Sequence, residues 1–203
     1  MRRLAILFGV FFVASLSAAA QNLPKADLFV GYNFSHFDTS DSNTGDSNGW
    51  NITPSFYFFK FLGVSADVGG GRSSGYTQSN GSHVDANIDS THYLFGPRIR
   101  FGTSRFTPFA QFVVGGVERG TVTNSAAFTD AATNDPVPAN TVLSNSQFNL
   151  AIGASGGVDL RLVRHLALRA QYNWLRTDYT VANPAIADPT TNNNGVSVGI
   201  VIR

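Results

Sequence analysis

The sequence predicts an all-β protein: a closed, eight-stranded, antiparallel, up-and-down β-barrel that spans a membrane. Charged residues make up only 13% of the 203 residues, whereas a soluble domain usually has about 25%. Apolar and polar residues alternate along most of the chain, as in strands with one apolar and one polar face. Short and long connections follow one another along the chain, which is typical of transmembrane barrels.

The first 20 residues have the three parts of a secretory signal peptide. Arg2 and Arg3 precede an apolar run over residues 4–16, and small residues follow up to Ala20. The apolar run is shorter than the roughly 20 residues that a spanning helix needs, which argues against a retained anchor. We therefore expect Gln21 to be the first mature residue, with the barrel domain over residues 21–203.

Charge and cysteine content exclude several classes of protein. The formal net charge is +1, and cleavage of the signal peptide removes two arginines. No basic field for nucleic acid remains, so nucleic acid is not an expected partner. The chain has no cysteine, which excludes disulfides and a thiol nucleophile. No segment after residue 20 is apolar for long enough to be a transmembrane helix, so a membrane must be crossed by strands.

Eight segments carry the alternating pattern. In the first, Leu28, Val30 and Tyr32 share one face. The eight predicted strands cover residues 26–37, 50–58, 62–69, 90–101, 106–118, 148–162, 166–177 and 195–203. In the fifth strand, the pair Gly115 and Gly116 suggests a bulge that leaves the facing of later residues open.

Long polar segments follow the odd-numbered predicted strands, and short turns follow the even-numbered ones. The long segments cover residues 38–49, 73–89, 120–147 and 178–194. In outer-membrane barrels the long loops face the cell exterior. The third long segment is a low-complexity mixture over residues 126–145, which indicates a mobile loop rather than a formed site.

Five motifs in this order resemble the OmpA-like outer-membrane β-barrel domain family. They are LFVGYNF at 28–34, FLGVSADVGG at 61–70, YLFGPR at 93–98, TPFAQ at 107–111 and RHLALRAQY at 164–172. The resemblance implies an eight-stranded barrel in a bacterial outer membrane, inserted by the outer-membrane assembly machinery and in contact with membrane lipids and lipopolysaccharide. Two features depart from the family. The sequence contains no peptidoglycan-binding domain after the barrel, so a tether to the cell wall is not expected. It ends on Arg203 rather than on an aromatic residue, so either Ile202 substitutes for that residue or a final residue is lacking.

The fold alone does not determine the function, because such barrels serve as anchors, adhesins, protective proteins and enzymes. The leading hypothesis is a non-enzymatic, monomeric scaffold without a cofactor, with a plugged interior and surface-exposed loops. The alternatives are a surface adhesion or recognition protein and a lipid A-modifying enzyme. A general pore is disfavoured, since eight strands leave an interior that side chains can fill.

Candidate catalytic residues lie near the outer ends of two predicted strands. His36 and His92 are close in sequence to Ser35, Ser90 and Asp89, and barrel enzymes that modify lipids use histidine with serine and an acid. These residues have no fixed spacing. The simpler interpretation is that they are polar residues at the solvated rim of the barrel, so no catalytic residue is assigned.

One aspartate-rich loop contains side chains that could bind calcium. Asp38, Asp41 and Asp46 lie among Ser, Asn and Gly residues. Their spacing differs from that of an EF-hand, and a solvated loop is the simpler interpretation. No metal site is therefore assigned.

Two further groups of residues follow from the facing of the strands. Aromatic residues on the outward faces predict an interfacial belt of Trp50, Tyr93, Phe101, Tyr172 and Trp174. The alternative, a soluble barrel, would turn these rings inward. Four charged residues on the opposite face predict an interior polar cluster in which Arg98 and Arg169 pair with Asp67 and Asp159.

Overall fold

The computed structural model describes residues 25–39, 44–77, 81, 83–102, 105–120, 122–124, 127–129, 134–144, 147–178 and 190–203. The predicted signal peptide and its cleavage site lie outside these residues, so both stay predictions. The described residues form twelve strands. In chain order they are β1 (Ala26–Thr39), β2 (Thr44–Tyr57), β3 (Leu62–Thr77), β4 (His83–Arg100), β5 (Phe106–Arg119), β6 (Val122–Asn124), β7 (Phe128–Thr129), β8 (Pro136–Val137), β9 (Val142–Ser144), β10 (Gln147–Val163), β11 (Leu166–Asp178) and β12 (Thr190–Ile202).

Eight of these strands close into a barrel. Their order is β3-β2-β1-β12-β11-β10-β5-β4, and pairing of β3 with β4 closes the ring. Every neighbouring pair is antiparallel, and the first strand pairs with the last from Leu28 opposite Ile202 to Thr39 opposite Thr191. The predicted closed, eight-stranded antiparallel barrel is confirmed. No helix in the described part of the chain is long and apolar enough to cross a bilayer.

The alternating pattern separates an apolar outer surface from a polar interior. On β2, Ile52 and Phe56 are exposed, whereas Asn51, Thr53 and Ser55 are buried in the lumen. Between Trp50 and Phe58 the chain rises about 27 Å, or roughly 21 Å along the barrel axis for a tilt near 40°. That height is close to the apolar band of about 25 Å that a bilayer requires.

The strands extend further than the alternating pattern predicts. β2 begins at Thr44, β3 ends at Thr77 and β12 begins at Thr190, so much of the predicted long loops is strand. Beyond the apolar band the outward face of a strand also carries polar residues, so the alternation disappears although backbone pairing continues. The luminal face stays buried there, as at Ser73, Ile88 and Thr191. His36 opposite Asp46 is one such polar pair.

The predicted bulge at Gly115 and Gly116 is wrong. β5 pairs with β10 from Phe106 to Arg119 without a shift in register. A Cβ at Gly116 would clash with the ring of Phe148 on the neighbouring strand. The glycine therefore leaves space for an aromatic ring, and the chain does not need an extra residue there.

The third long segment is also more ordered than expected in its described parts. β6 pairs with the outer end of β4, where Ala86 lies opposite Asn124, and also with β9. β7 pairs with β8. The last pair of β4 with β5 is Ser90 opposite Arg119, and β4 continues beyond it. Its backbone N–H and C=O groups there are left for β6 to pair with.

Candidate functional site

The centre of the charged cluster is an ion pair between two neighbouring strands. Asp159 on β10 and Arg169 on β11 are register partners. Arg169 Nε donates to Asp159 Oδ1 at 2.7 Å, and Nη2 donates to Oδ2 at 3.0 Å. Arg203, at the end of β12, donates through Nη2 to Asp159 Oδ2 at 2.7 Å. One carboxylate thus accepts hydrogen bonds from two arginines inside the barrel.

A second carboxylate joins this cluster and was missed by the sequence analysis. Asp27 Oδ2 lies 3.7 Å from Arg100 Nη1, and Asp27 Oδ1 lies 3.6 Å from Arg169 Nη2. Asp27, Arg100 and Arg169 are all buried. The alternating pattern could have predicted that both side chains point inward. Asp27 precedes the outward Leu28, and Arg100 lies two residues after the inward Arg98.

The predicted pairing of Arg98 with Asp67 is wrong. Arg98 donates through Nη1 to Ser55 Oγ at 3.1 Å and to Gln111 Oε1 at 3.4 Å. Asp67 lies opposite Leu94 in the register of β3 and β4. Four residues separate Leu94 from Arg98, or roughly 13 Å along the strand. The two charges therefore lie at different depths of the lumen.

Aromatic rings fill the space between the arginines. The Arg100 guanidinium lies 3.3 Å from the ring centroid of Tyr57, and the Arg98 guanidinium 3.9 Å from that of Phe109. Arg169 lies 4.5 Å from the centroid of Phe109 and 4.9 Å from that of Phe29. Cation–π contacts of desolvated arginines are worth about 2 kcal/mol or more each. We call this set the charged layer: Asp27, Phe29, Tyr57, Arg98, Arg100, Phe109, Asp159, Arg169 and Arg203.

Above the charged layer, towards the long connections, lies a partly open cavity of about 110 Å³. Asp67 and His92 line it, and His92 Nε2 lies 3.4 Å from Asp67 Oδ1. A Cβ at Gly69 would lie 2.5 Å from His92 Cε1. Glycine at this position therefore allows the imidazole to lie over β3 and approach Asp67.

Of the five residues of the predicted aromatic belt, Trp50, Tyr93 and Tyr172 lie at outward positions of their strands. Phe101 follows the end of β4, and Trp174 on β11 is among the residues that line the luminal cavity. Trp50, Tyr93 and Tyr172 are about half exposed, and Phe101 and Trp174 are more covered. The Tyr172 hydroxyl donates to Asn194 Oδ1 at 2.7 Å. Their role at the membrane interface stays a prediction.

The candidate catalytic residues lie in two places: Ser35, Ser90 and His92 line the cavity, whereas His36 and Asp89 are paired elsewhere. His36 Nδ1 lies 2.7 Å from Asp46 Oδ1 on the exposed part of the barrel. Ser90 Oγ donates to the carbonyl oxygen of Gly71 at 3.5 Å. Among the described residues, no group of three or more His, Asp or Glu side chains could hold a metal ion; Asp41 lies outside these residues.

Asp89, the acid suggested for the same site, is paired outside the lumen. Arg72 Nε donates to Asp89 Oδ1 at 2.7 Å, and Nη2 donates to Oδ2 at 3.1 Å. Both side chains are exposed beyond the apolar band. The hydrogen bond from Arg72 lowers the pKa of the Asp89 carboxyl below its ordinary value.

Comparison with known proteins identifies the family. The profile of the outer membrane protein beta-barrel domain matches residues 5–203. The chain belongs to this family. It is therefore a bacterial outer-membrane β-barrel protein, as the OmpA-like resemblance implied. No curated protein sequence matches the chain.

Solved structures of small outer-membrane barrels share the fold. Neisserial surface protein A has a TM-score of 0.59 at 11% identity, covering 90% of this chain and 99% of that one. OprG from Pseudomonas aeruginosa has a TM-score of 0.53 at 12% identity, with coverages of 87% and 95%. Ail, the attachment invasion locus protein of Yersinia pestis, has a TM-score of 0.51 at 12% identity, with coverages of 87% and 97%. At these identities the likeness concerns the fold alone.

Proposed function

We propose that this outer-membrane protein is a non-enzymatic scaffold whose interior is plugged and whose outer segments face the environment. The charged layer carries the proposal. Arg98, Arg100, Arg169 and Asp159 are each at most 2% exposed, and the rings of Phe29, Tyr57 and Phe109 lie against the guanidinium groups. A lumen filled in this way leaves little room for hydrated ions.

The charge of the layer also opposes the passage of cations. It holds four arginines and two aspartates, and these side chains contact one another or aromatic rings. A cation would meet excess positive charge, and breaking a buried pair to admit an ion costs about 3–5 kcal/mol. The layer therefore supports a closed barrel.

Two observations favour a scaffold over catalysis. The pair of His92 and Asp67 faces the lumen, whereas lipid acyl chains surround the outer face of the barrel. Ser90, the nearby hydroxyl, hydrogen-bonds a backbone carbonyl. Expression of the wild type and of His92→Ala in the same strain should leave the mass spectrum of lipid A unchanged in both. A modification present only with the wild type would contradict the non-enzymatic proposal.

Conductance measurements test the plug. The purified protein in planar bilayers should give no stable, sizeable unit conductance, and a 16- to 18-stranded porin measured in the same bilayers is the positive control. Regular, reproducible conductance steps that scale with the amount of inserted protein would overturn the plugged interior.

The proposal includes the partners expected from the sequence. The apolar outer band would contact membrane lipids and, at its outer edge, lipopolysaccharide. Insertion would depend on the outer-membrane assembly machinery. The protein would act as a monomer, without nucleic acid and without a cofactor. Light scattering and native mass spectrometry of the purified protein would test the oligomeric state.

A further inference from the structure

The cavity above the charged layer has two chemically different walls. One wall is apolar: Leu94, Val113 and Val117 line the cavity from β4 and β5, and Leu175 of β11 packs against them. The opposite wall carries polar side chains of β1, β2 and β3, among them Asn33, Asn51 and Asp67. Since barrel lumens are normally polar, an apolar wall on one side is a specific feature of this cavity.

The polar wall contains a carboxylate without a strong cationic partner. The Asp67 side chain is 7% exposed, and its contact is the imidazole of His92 at 3.4 Å. Among the described residues, no arginine or lysine lies within 4 Å of this carboxylate. A buried carboxylate is costly unless a cation or several hydrogen bonds compensate it. A bound cation would supply that compensation.

Arg119 also lines the cavity, but at a different level. It lies opposite Ser90 on β4, whereas Asp67 lies opposite Leu94. Four residues of β4 separate these levels, or roughly 13 Å along the strand. Arg119 has an interaction of its own. The inner end of the cavity is therefore acidic, and the basic side chain lies towards the exterior.

From this arrangement we propose that the cavity binds a small organic cation with a short apolar group, such as an aryl- or alkylammonium ion. The ammonium group contacts Asp67, and the apolar group packs against Leu94, Val117 and Leu175. The volume of about 110 Å³ is somewhat below that of a cavity of about 150 Å³ that binds benzene. Because the cavity is partly open, a ligand of roughly six to eight non-hydrogen atoms fits when part of it lies in the opening. The charged layer fills the lumen below the cavity, so the ligand binds and does not pass through.

Methyl NMR of the folded protein in phospholipid nanodiscs tests this site, with benzylammonium as the probe. Benzylammonium should shift the methyl signals of Leu94, Val117 and Leu175 saturably. Benzyl alcohol has the same size and shape without the charge, and should bind at least tenfold more weakly. The isosteric change Asp67→Asn should weaken benzylammonium binding at least tenfold and leave benzyl alcohol binding unchanged.

Asp89→Asn is the matched control, because it removes an exposed carboxylate on the same side of the barrel. It should leave benzylammonium binding unchanged. Equal binding of benzylammonium and benzyl alcohol by the wild type would overturn the role of charge, even if Asp67→Asn failed to fold. Shifts confined to outward methyl groups such as Val64, or no saturation, would overturn the luminal site.

Discussion

Replacing Asp159 with asparagine should destabilise the folded barrel strongly. Asp159 accepts two hydrogen bonds from Arg169 and one from Arg203. The side chains of all three are at most 3% exposed. Asparagine has nearly the same size as aspartate, so the substitution removes charge without creating a cavity. Arg203 then loses its carboxylate, and Arg169 keeps only the more distant carboxylate of Asp27, 3.6 Å away.

The expected loss in the free energy of unfolding follows from the burial of this pair. Removing one partner of a buried ion pair costs about 3–5 kcal/mol. Cation–π contacts of Arg169 with Phe29 and Phe109 persist in the variant and still stabilise its charge. We therefore expect a loss of about 3 kcal/mol, at the lower end of that range.

Urea unfolding of the protein in phospholipid vesicles measures this loss. Tryptophan fluorescence and the heat-modified shift in gel mobility report the folded fraction independently. Asp89→Asn is the matched control, because its partner Arg72 is exposed and exposed pairs contribute little. The control should retain nearly all of the wild-type stability.

A double-mutant cycle separates the ion pair from other effects. Asp159→Asn combined with Arg169→Met should lose less than the sum of the two single losses, because the residues are in contact. Strict additivity would refute the pairing as the cause of the loss. A loss for Asp159→Asn no larger than that for Asp89→Asn would refute the claim that burial makes this carboxylate important.

Three further predictions concern the ends, the orientation and the surface charge of the protein. Mass spectrometry of the protein from the outer membrane should show Gln21 as the first residue, and a retained N-terminus would contradict signal cleavage. In intact cells, a membrane-impermeant maleimide should label Asn87→Cys at the exposed outer end of β4 and should not label Lys60→Cys in the opposite short turn; the reverse pattern would invert the orientation. In a carboxyl NMR titration, the pKa of Asp89 should lie below 3.8 and return towards 3.8 in Arg72→Gln. Because the pKa of Asp89 is lowered in the folded protein, the pair contributes to stability above pH 3.8, and this contribution is lost as the pH falls through the folded-state pKa. If Arg72→Gln left the pKa of Asp89 unchanged, Arg72 would not be the cause of the shift.

The sequence by itself determined the fold and the local part of the charged layer. Alternation of apolar and polar residues requires strands with two different faces, and the low charge content requires an apolar solvent around the outer face. The same alternation predicted that the side chains of Asp159 and Arg169 face the barrel interior. These two residues lie on either side of the tight turn at residues 164–165, which keeps them close in space. The register shift between Arg161 and Val163 that places them directly opposite each other was decided by the structure.

Only the tertiary structure decided the contacts that skip a strand or depend on a long connection. Asp67 and Arg98 lie on strands joined through a long segment, so no tight turn set their register and the predicted pair was wrong. Arg203, which follows β12, reaches Asp159 on β10, and Asp27 on β1 approaches Arg169 on β11. Such distances depend on the stagger of the strands and on closure of the barrel. Closure is a property of all eight strands together, and the alternating pattern of a single strand does not contain it.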